Sequence, residues 1–282
     1  MSALLAALVD DAGLFPPTAL SMTEAVTRHR RDLAGGDPML AHRFLCPVGR
    51  IDELRAALAA DDRFSLGLIV PAGTPVEAVH AAAAAVAAEP RLKLTRVEIT
   101  CHPDDLETWL AGADLGVPMF VESIDTTAIP RLTAALSGTR AGLKIRCGGV
   151  PASRFPGPAE IAEALVAAAA AGVAVKATAG LHRAVRHHDP MTGFSHHGYL
   201  NLLVAAARAA AGTGLLPVAR ALARSDGASL AAEAHRLTPA QVAAARRLLA
   251  GYGSCSTQTP PADALALGLT TARPLVPQGV RS

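Results

Sequence analysis

Gly142-Leu-Lys-Ile-Arg-Cys147, Pro158-Ala-Glu-Ile-Ala-Glu-Ala-Leu-Val-Ala-Ala-Ala-Ala-Ala171 and Val173-Ala-Val-Lys-Ala-Thr178 follow one another along the chain. The outer two are short apolar runs of strand length. The middle one opens on proline, which is harmless at a helix start, and is filled with alanine, the strongest helix former. Strand, helix, strand in that order is the unit of a parallel sheet, because parallel strands need a crossover connection.

Outward from this unit the same alternation repeats. Strand-like runs are expected at 8–14, 41–47, 65–71, 94–101, 117–123, 142–147, 173–178 and 251–257. Ser21-Met-Thr-Glu24 is a capping box that opens a helix to about residue 33. Residues 50–60, 75–88, 103–112, 125–137 and 158–171 have helical spacing or composition. After the seventh strand the alternation breaks, and 199–211, 215–224 and 239–250 read as helices. The expected fold is a (β/α)8 TIM-like barrel, one domain over 1–270, with a helical insertion (198–250) between strands 7 and 8 and a loosely held tail at 271–282. An open doubly wound sheet is the runner-up. It is disfavoured because Asp10-Asp-Ala-Gly-Leu-Phe-Pro-Pro17 is not the glycine-rich phosphate turn G-x-G-x-x-G.

Composition narrows the function classes. A net charge of +2 and 3% aromatic residues give no basic or stacking surface for nucleic acid. No apolar run is long enough to span a bilayer, and the opening Ser2-Ala-Leu-Leu-Ala-Ala-Leu-Val9 lacks the basic start of a secretion signal. Four scattered cysteines without a C-x-x-C pair suggest a reduced, cytoplasmic setting. The expected partner is a small anionic substrate. The helical insertion is placed either over the site or in a subunit contact, which leaves a homo-oligomer open.

Of 26 basic residues only Lys93, Lys144 and Lys176 are lysines. An amine can lose its proton and attack a carbonyl, whereas a guanidinium effectively cannot. Side chains alternate across a strand, so Lys144 shares a face with Arg146, and Lys176 with Thr178. Late in neighbouring strands stand Glu98, Thr100 and Glu122, with Asp10 and Asp11 on the first strand. Converging on one rim, these charges read either as an ion-pair network holding the barrel mouth or as a catalytic ring. Arg146 has the planar fork for a substrate carboxylate or phosphate, and Gly148-Gly149 offers backbone N–H groups to the same anion. Lys93, at the start of the fourth strand, is expected to be dispensable.

Val175-Lys-Ala-Thr-Ala-Gly-Leu181 resembles the K-T-S-T-G-F motif around the Schiff-base lysine of class I, deoxyribose-phosphate-type aldolases. Gly142-Leu-Lys-Ile-Arg-Cys-Gly-Gly-Val150 resembles that family's other lysine strand, V-K-A-S-G-G-I. Here the two motifs come in the opposite order, and the resemblance covers only these stretches. It implies Lys176 as the imine-forming nucleophile, Lys144 as the neighbouring cation that eases its deprotonation, and Asp10 or Glu122 as the proton shuttle.

Five of the ten histidines, His182, His187, His188, His196 and His197, fall within sixteen residues after the seventh strand. His182, at the strand exit, reads as a catalytic or substrate-binding histidine, and Asn201 as a group that orients a histidine or a substrate hydroxyl. The other four, with Asp189, are candidate ligands for a divalent metal, although their spacing fits no zinc motif. No cofactor is otherwise expected. Among the cysteines only Cys147, beside Arg146, has a neighbour that could stabilise a thiolate. The function expected is a lyase, aldolase or isomerase acting on an anionic carbonyl compound through an active-site lysine. The alternatives are a metal-dependent barrel lyase or hydrolase using the histidine loop, and a ligand-binding barrel without catalysis.

Overall fold

Eight parallel strands close into a barrel in a computed structural model that describes residues 3–123, 125–148, 155–190 and 193–271. They are β1 (Val9–Asp11), β2 (Leu40–Pro47), β3 (Phe64–Val70), β4 (Leu92–Cys101), β5 (Met119–Ser123), β6 (Gly142–Arg146), β7 (Val175–Thr178) and β10 (Leu249–Ser254). Strand neighbours follow chain order, and β10 closes the ring between β7 and β1. A short antiparallel hairpin, β8 (His187–Asp189) with β9 (Phe194–His196), follows β7. The expected (β/α)8 fold is therefore present. The tail at 272–282 and Gly149 lie outside the described residues.

The helices begin and end where local chemistry directs. In α1 (Met22–Gly35) both bonds of the Ser21/Glu24 capping box form, and Gly36 ends the helix in the left-handed region that favours glycine. The others around the barrel are α2 (Ile51–Ala57), α3 (Val76–Ala87), α4 (Leu106–Gly112), α5 (Ile129–Leu136) and α6 (Pro158–Ala171). Between β9 and β10 stand α7 (Tyr199–Ala210), α8 (Leu215–Ala223), α9 (Gly227–Arg236) and α10 (Pro239–Leu248), which form the helical insertion between barrel strands 7 and 8. Helix α7 is buried on nearly every face, as a helix apolar all round must be. No helix among the described residues is long and apolar enough to cross a membrane.

Three details differ from the sequence reading. The first strand stops at Asp11, because the Asp11 carboxylate accepts a hydrogen bond from Gly13 N and turns the chain before Pro16-Pro17, which have no N–H for a ladder. The last strand starts at Leu249 and ends at Ser254, and Ser256 and Thr257 lead instead into α11 (Thr259–Ala266). Helix α9 and the hairpin were not anticipated. Asp226 caps α9 by accepting from Ala228 N and Ser229 N, and the hairpin strands are three residues each, too short to show alternation.

The lumen is filled by large side chains set against glycines. A Cβ on Gly142 would stand 2.5 Å from Phe120 and 2.7 Å from the Ala174 carbonyl, and one on Gly67 would stand 2.5 Å from Leu45. Interiors packed this closely do not absorb extra atoms cheaply. The Gly142→Ala variant should therefore lose about 1–3 kcal/mol of stability in urea unfolding. Stability equal to the parent chain would show that β5 and β6 have slack that the structure does not display.

Candidate active site

Alternation on the strands turns Asp10, Glu98, Glu122, Lys144, Arg146 and Lys176 to one side, the lumen, where most barrels of this kind hold valine, isoleucine and leucine. They form one chain of alternating charge. Arg146 Nε donates to Glu122 Oε1 at 2.7 Å. Lys144 Nζ stands 3.2 Å from Glu122 Oε2 and 3.2 Å from Glu98 Oε2. Lys176 Nζ bonds Glu98 Oε1 and stands 2.6 Å from Asp10 Oδ2. Asp10 in turn pairs with Arg43 at 2.5 Å and Arg96 at 3.0 Å, and the Arg96 guanidinium lies over the Phe120 ring.

Among the cations exposure falls from Arg146 inward to Lys176, and rises again at Arg96 (10%) and Arg43 (18%) on the far side of Asp10. The side chain of Arg146 is 33% exposed, Lys144 5% and Lys176 0%. Arg146, in register with Thr178 at the C-terminal ends of β6 and β7, marks the open end. That is the end at which barrel enzymes build their sites. Within the described network five cations (Arg43, Arg96, Lys144, Arg146, Lys176) face three carboxylates, so the lumen holds an excess of positive charge that suits an anion.

Burial and pairing compete at each carboxylate. Burial pushes Asp10 upward, but Lys176, Arg43 and Arg96 outweigh it and hold it at about 2. Glu98 is likewise raised by burial and pulled below its ordinary value by Lys176 and Lys144, and Glu122 by Lys144 and Arg146. All three are carboxylates at neutral pH. Glu122 Oε2 stands close to Lys144 Nζ but makes no hydrogen bond of good geometry among the described residues.

Other expected site residues are placed differently. Asp11 points away from the lumen to α1, where it meets Arg28 and accepts from His29 Nδ1 at 3.0 Å, so it anchors a helix. Asn201, fully buried on α7, accepts from Arg186 N and donates to the Ala221 and Arg224 carbonyls, tying the post-β7 loop to the end of α8. Thr178 faces the lumen opposite Gly253. Gly148 lies against Gly180, 3.1 Å from its Cα to a Cβ built on Gly148, so it permits a close approach of two strand exits. Lys93 is exposed near the start of β4, away from the mouth.

The histidines do not gather into a metal centre. Among the described residues no group of three or more His, Cys, Asp or Glu could hold a metal ion. His187 pairs with His196 across the hairpin, and His188 with Ser195. His197 is fully buried with Nε2 2.7 Å from the Pro156 carbonyl, and burial lowers it to about 4, so its ring is neutral. His182 instead meets a thiol: its Nδ1 lies 3.5 Å from Cys255 Sγ, just beyond the end of β10. Burial holds His182 below the ordinary imidazole range, so its ring is neutral near neutral pH. Cys147, the expected reactive thiol, is fully buried and pushed up to about 12 by burial. Arg43, Arg96 and the His182–Cys255 contact escaped the sequence reading. Only their parity on strands of uncertain register could have shown them.

Two surface cavities, of about 480 and 410 Å3, lie outside this chain of charges, one between α3 and α4 and the other beside the post-β7 loop. Comparison with protein-family models, with curated proteins and with solved structures finds no match for the chain. The fold is of a kind typical of enzymes.

The pairing sets a pH dependence. Asp10 binds its proton more weakly folded, at about 2, than unfolded, at about 4, so its contribution is complete above the unfolded value and lost as pH falls through the folded one. Glu98 and Glu122 shift in the same direction. The urea-unfolding free energy should fall from about pH 5 toward about pH 2, and Asp10→Asn should remove part of that fall. An equally steep fall in the variant contradicts the assignment.

Proposed function

We propose that the chain is an enzyme of lyase or aldolase type that acts on a small anionic carbonyl compound through a lysine amine in the barrel lumen. The observation that carries this reading is the graded chain Arg146–Glu122–Lys144–Glu98–Lys176, which places a compact amine between carboxylates directly beneath an exposed guanidinium. The resemblance of both lysine strands to the deoxyribose-phosphate-type aldolases supports it, although no family match accompanies that resemblance.

Imine formation needs three things: an amine that has shed its proton, a group to take that proton, and a donor for the departing hydroxyl. The sequence reading gave the nucleophile's part to Lys176. The exposure gradient favours Lys144, since Lys176 is sealed beneath it. Glu122 Oε2, 3.2 Å away, would take one proton from the Lys144 ammonium, the freed amine would attack the carbonyl carbon, and a second proton would move from that nitrogen to the carbonyl oxygen to give the carbinolamine, while Glu122 keeps the first. That first proton would then pass to the carbinolamine hydroxyl, which leaves as water. Lys176, locked to Asp10 and Glu98, would hold Glu98 in place as the second partner of Lys144. Arg146 would bind the substrate's anionic group, and His182 at the rim would exchange protons with solvent.

A second reading is favoured by one observation: Lys144, Arg146 and Lys176 are all paired with carboxylates. On that reading the charges only fill the barrel, and the mouth binds an anion without turning it over.

Borohydride reduction in the presence of pyruvate or glycolaldehyde phosphate separates the two. A reduced adduct on Lys144, absent in Lys144→Met, is the expected result. An adduct on Lys176 restores the original division of labour, and no lysine adduct across such carbonyl compounds leaves the binding barrel as the better account.

A further inference from the structure

The loop after β7 runs from Ala179 to the hairpin and is tied down at each step. Ala184 N donates to Asp263 Oδ2 at 2.9 Å, Arg186 N to Asn201 Oδ1 at 2.8 Å, and Tyr199 N to the Arg183 carbonyl at 3.1 Å. Beneath this fixed loop, against the α8–α9 turn and α11, opens the cavity of about 410 Å3. Its walls carry Arg183, Arg186, His187, Ser225 and Asp263, whose carboxylate is engaged by Arg183 and Ala184 N, and its apolar side includes Val185 and Leu267. That volume is in the range of small-ligand sites, which join apolar walls to a few placed polar groups.

The two arginines differ. Arg183 stands 3.3 Å from Asp263 Oδ1. Arg186 meets no carboxylate at ion-pair distance among the described residues. Its described side-chain contact is Nη1 to His197 Nδ1 at 3.4 Å. The Pro156 carbonyl can only accept, so His197 Nε2 carries the proton that it donates there, and Nδ1 is left to accept from Arg186. This contact orients the guanidinium and leaves most of its donors without a partner among the described residues. A planar fork in that condition matches a carboxylate or phosphate, which can take two parallel N–H bonds.

We propose that this cavity is an anion-binding site, in which Arg186 grips the carboxylate or phosphate group of a small molecule, with Arg183, His187 and Ser225 beside it. It shares no residue with the chain of charges in the lumen and does not depend on the reading given to that chain.

Titration with inorganic phosphate, and separately with acetate, followed by isothermal calorimetry, tests it in the full chain. The variants are Arg186→Gln, Ser225→Glu and, for the lumen, Arg146→Gln. Ser225 is exposed on a turn, so Ser225→Glu places a repelling carboxylate in the cavity without disturbing the core. Saturable binding is expected in the cavity, weakened at least roughly tenfold by Arg186→Gln and by Ser225→Glu, and this component persists in Arg146→Gln, which removes only binding at the barrel mouth. Tighter binding of phosphate or of acetate tells which anion the site prefers. Binding lost in Arg146→Gln but kept in the two cavity variants places the anion at the barrel mouth and overturns the proposal. So does the absence of saturable binding of either anion.

Discussion

Lys176, held between Asp10 and Glu98, is the contact on which the rest of the barrel depends. It ties β7 to β1 and β4 across the lumen, where sheet hydrogen bonds cannot reach. Each of these ions loses several kcal/mol of hydration on burial, and only close opposite charges offset that loss. The arrangement therefore has to be complete. Arg43 and Arg96 neutralise the far side of Asp10, and Lys144 shares Glu98 with Lys176. Glycines opposite Phe120 and Leu45 give the lumen its remaining room.

The same constraint shapes what the mouth can do. From Lys176 through Lys144 to Arg146 the cations grow more accessible toward the C-terminal strand ends. Above the exits of β6 and β7, Phe155 stacks on Phe194 with centroids 4.5 Å apart, and His196 meets Phe155 edge-on at 4.9 Å. These rings pack beside Gly148 and Gly180, where the two strand exits approach each other. Arginine and lysine divide the work by shape: forks stand at the mouth and on the far side of Asp10, and compact ammonium groups occupy the interior between them.

Much of this was legible in the chain. The strand–helix alternation gave the barrel, because parallel strands must be separated by crossovers, and the break after Lys176 gave the insertion. Alternation along β6 and β7 also put Lys144, Arg146 and Lys176 on one face. What stayed hidden depended on register and on fold-back. Arg43 and Arg96 sit on strands where irregular pairing shifts the register, between β1 and β2 and between β3 and β4, so their meeting with Asp10 could not be counted out from spacing. Asp11 looked equivalent to Asp10, but adjacent strand residues face opposite sides, and Asp11 goes to α1. His182 and Cys255 are separated by 73 positions and meet only because β7 and β10 are neighbours.

The scarcity of lysine makes the central claim directly measurable. With three lysines in the chain, 15N-labelled lysine gives three side-chain ammonium signals in an NMR spectrum. The account predicts that near neutral pH the signals of Lys144 and Lys176 persist, shielded from water exchange and held by carboxylates, while that of the exposed Lys93 is lost to exchange. Asp10→Asn should perturb the Lys176 signal more than that of Lys144. If all three ammonium groups exchange with water as freely as Lys93, the lumen does not hold the paired charges described, and the account is wrong.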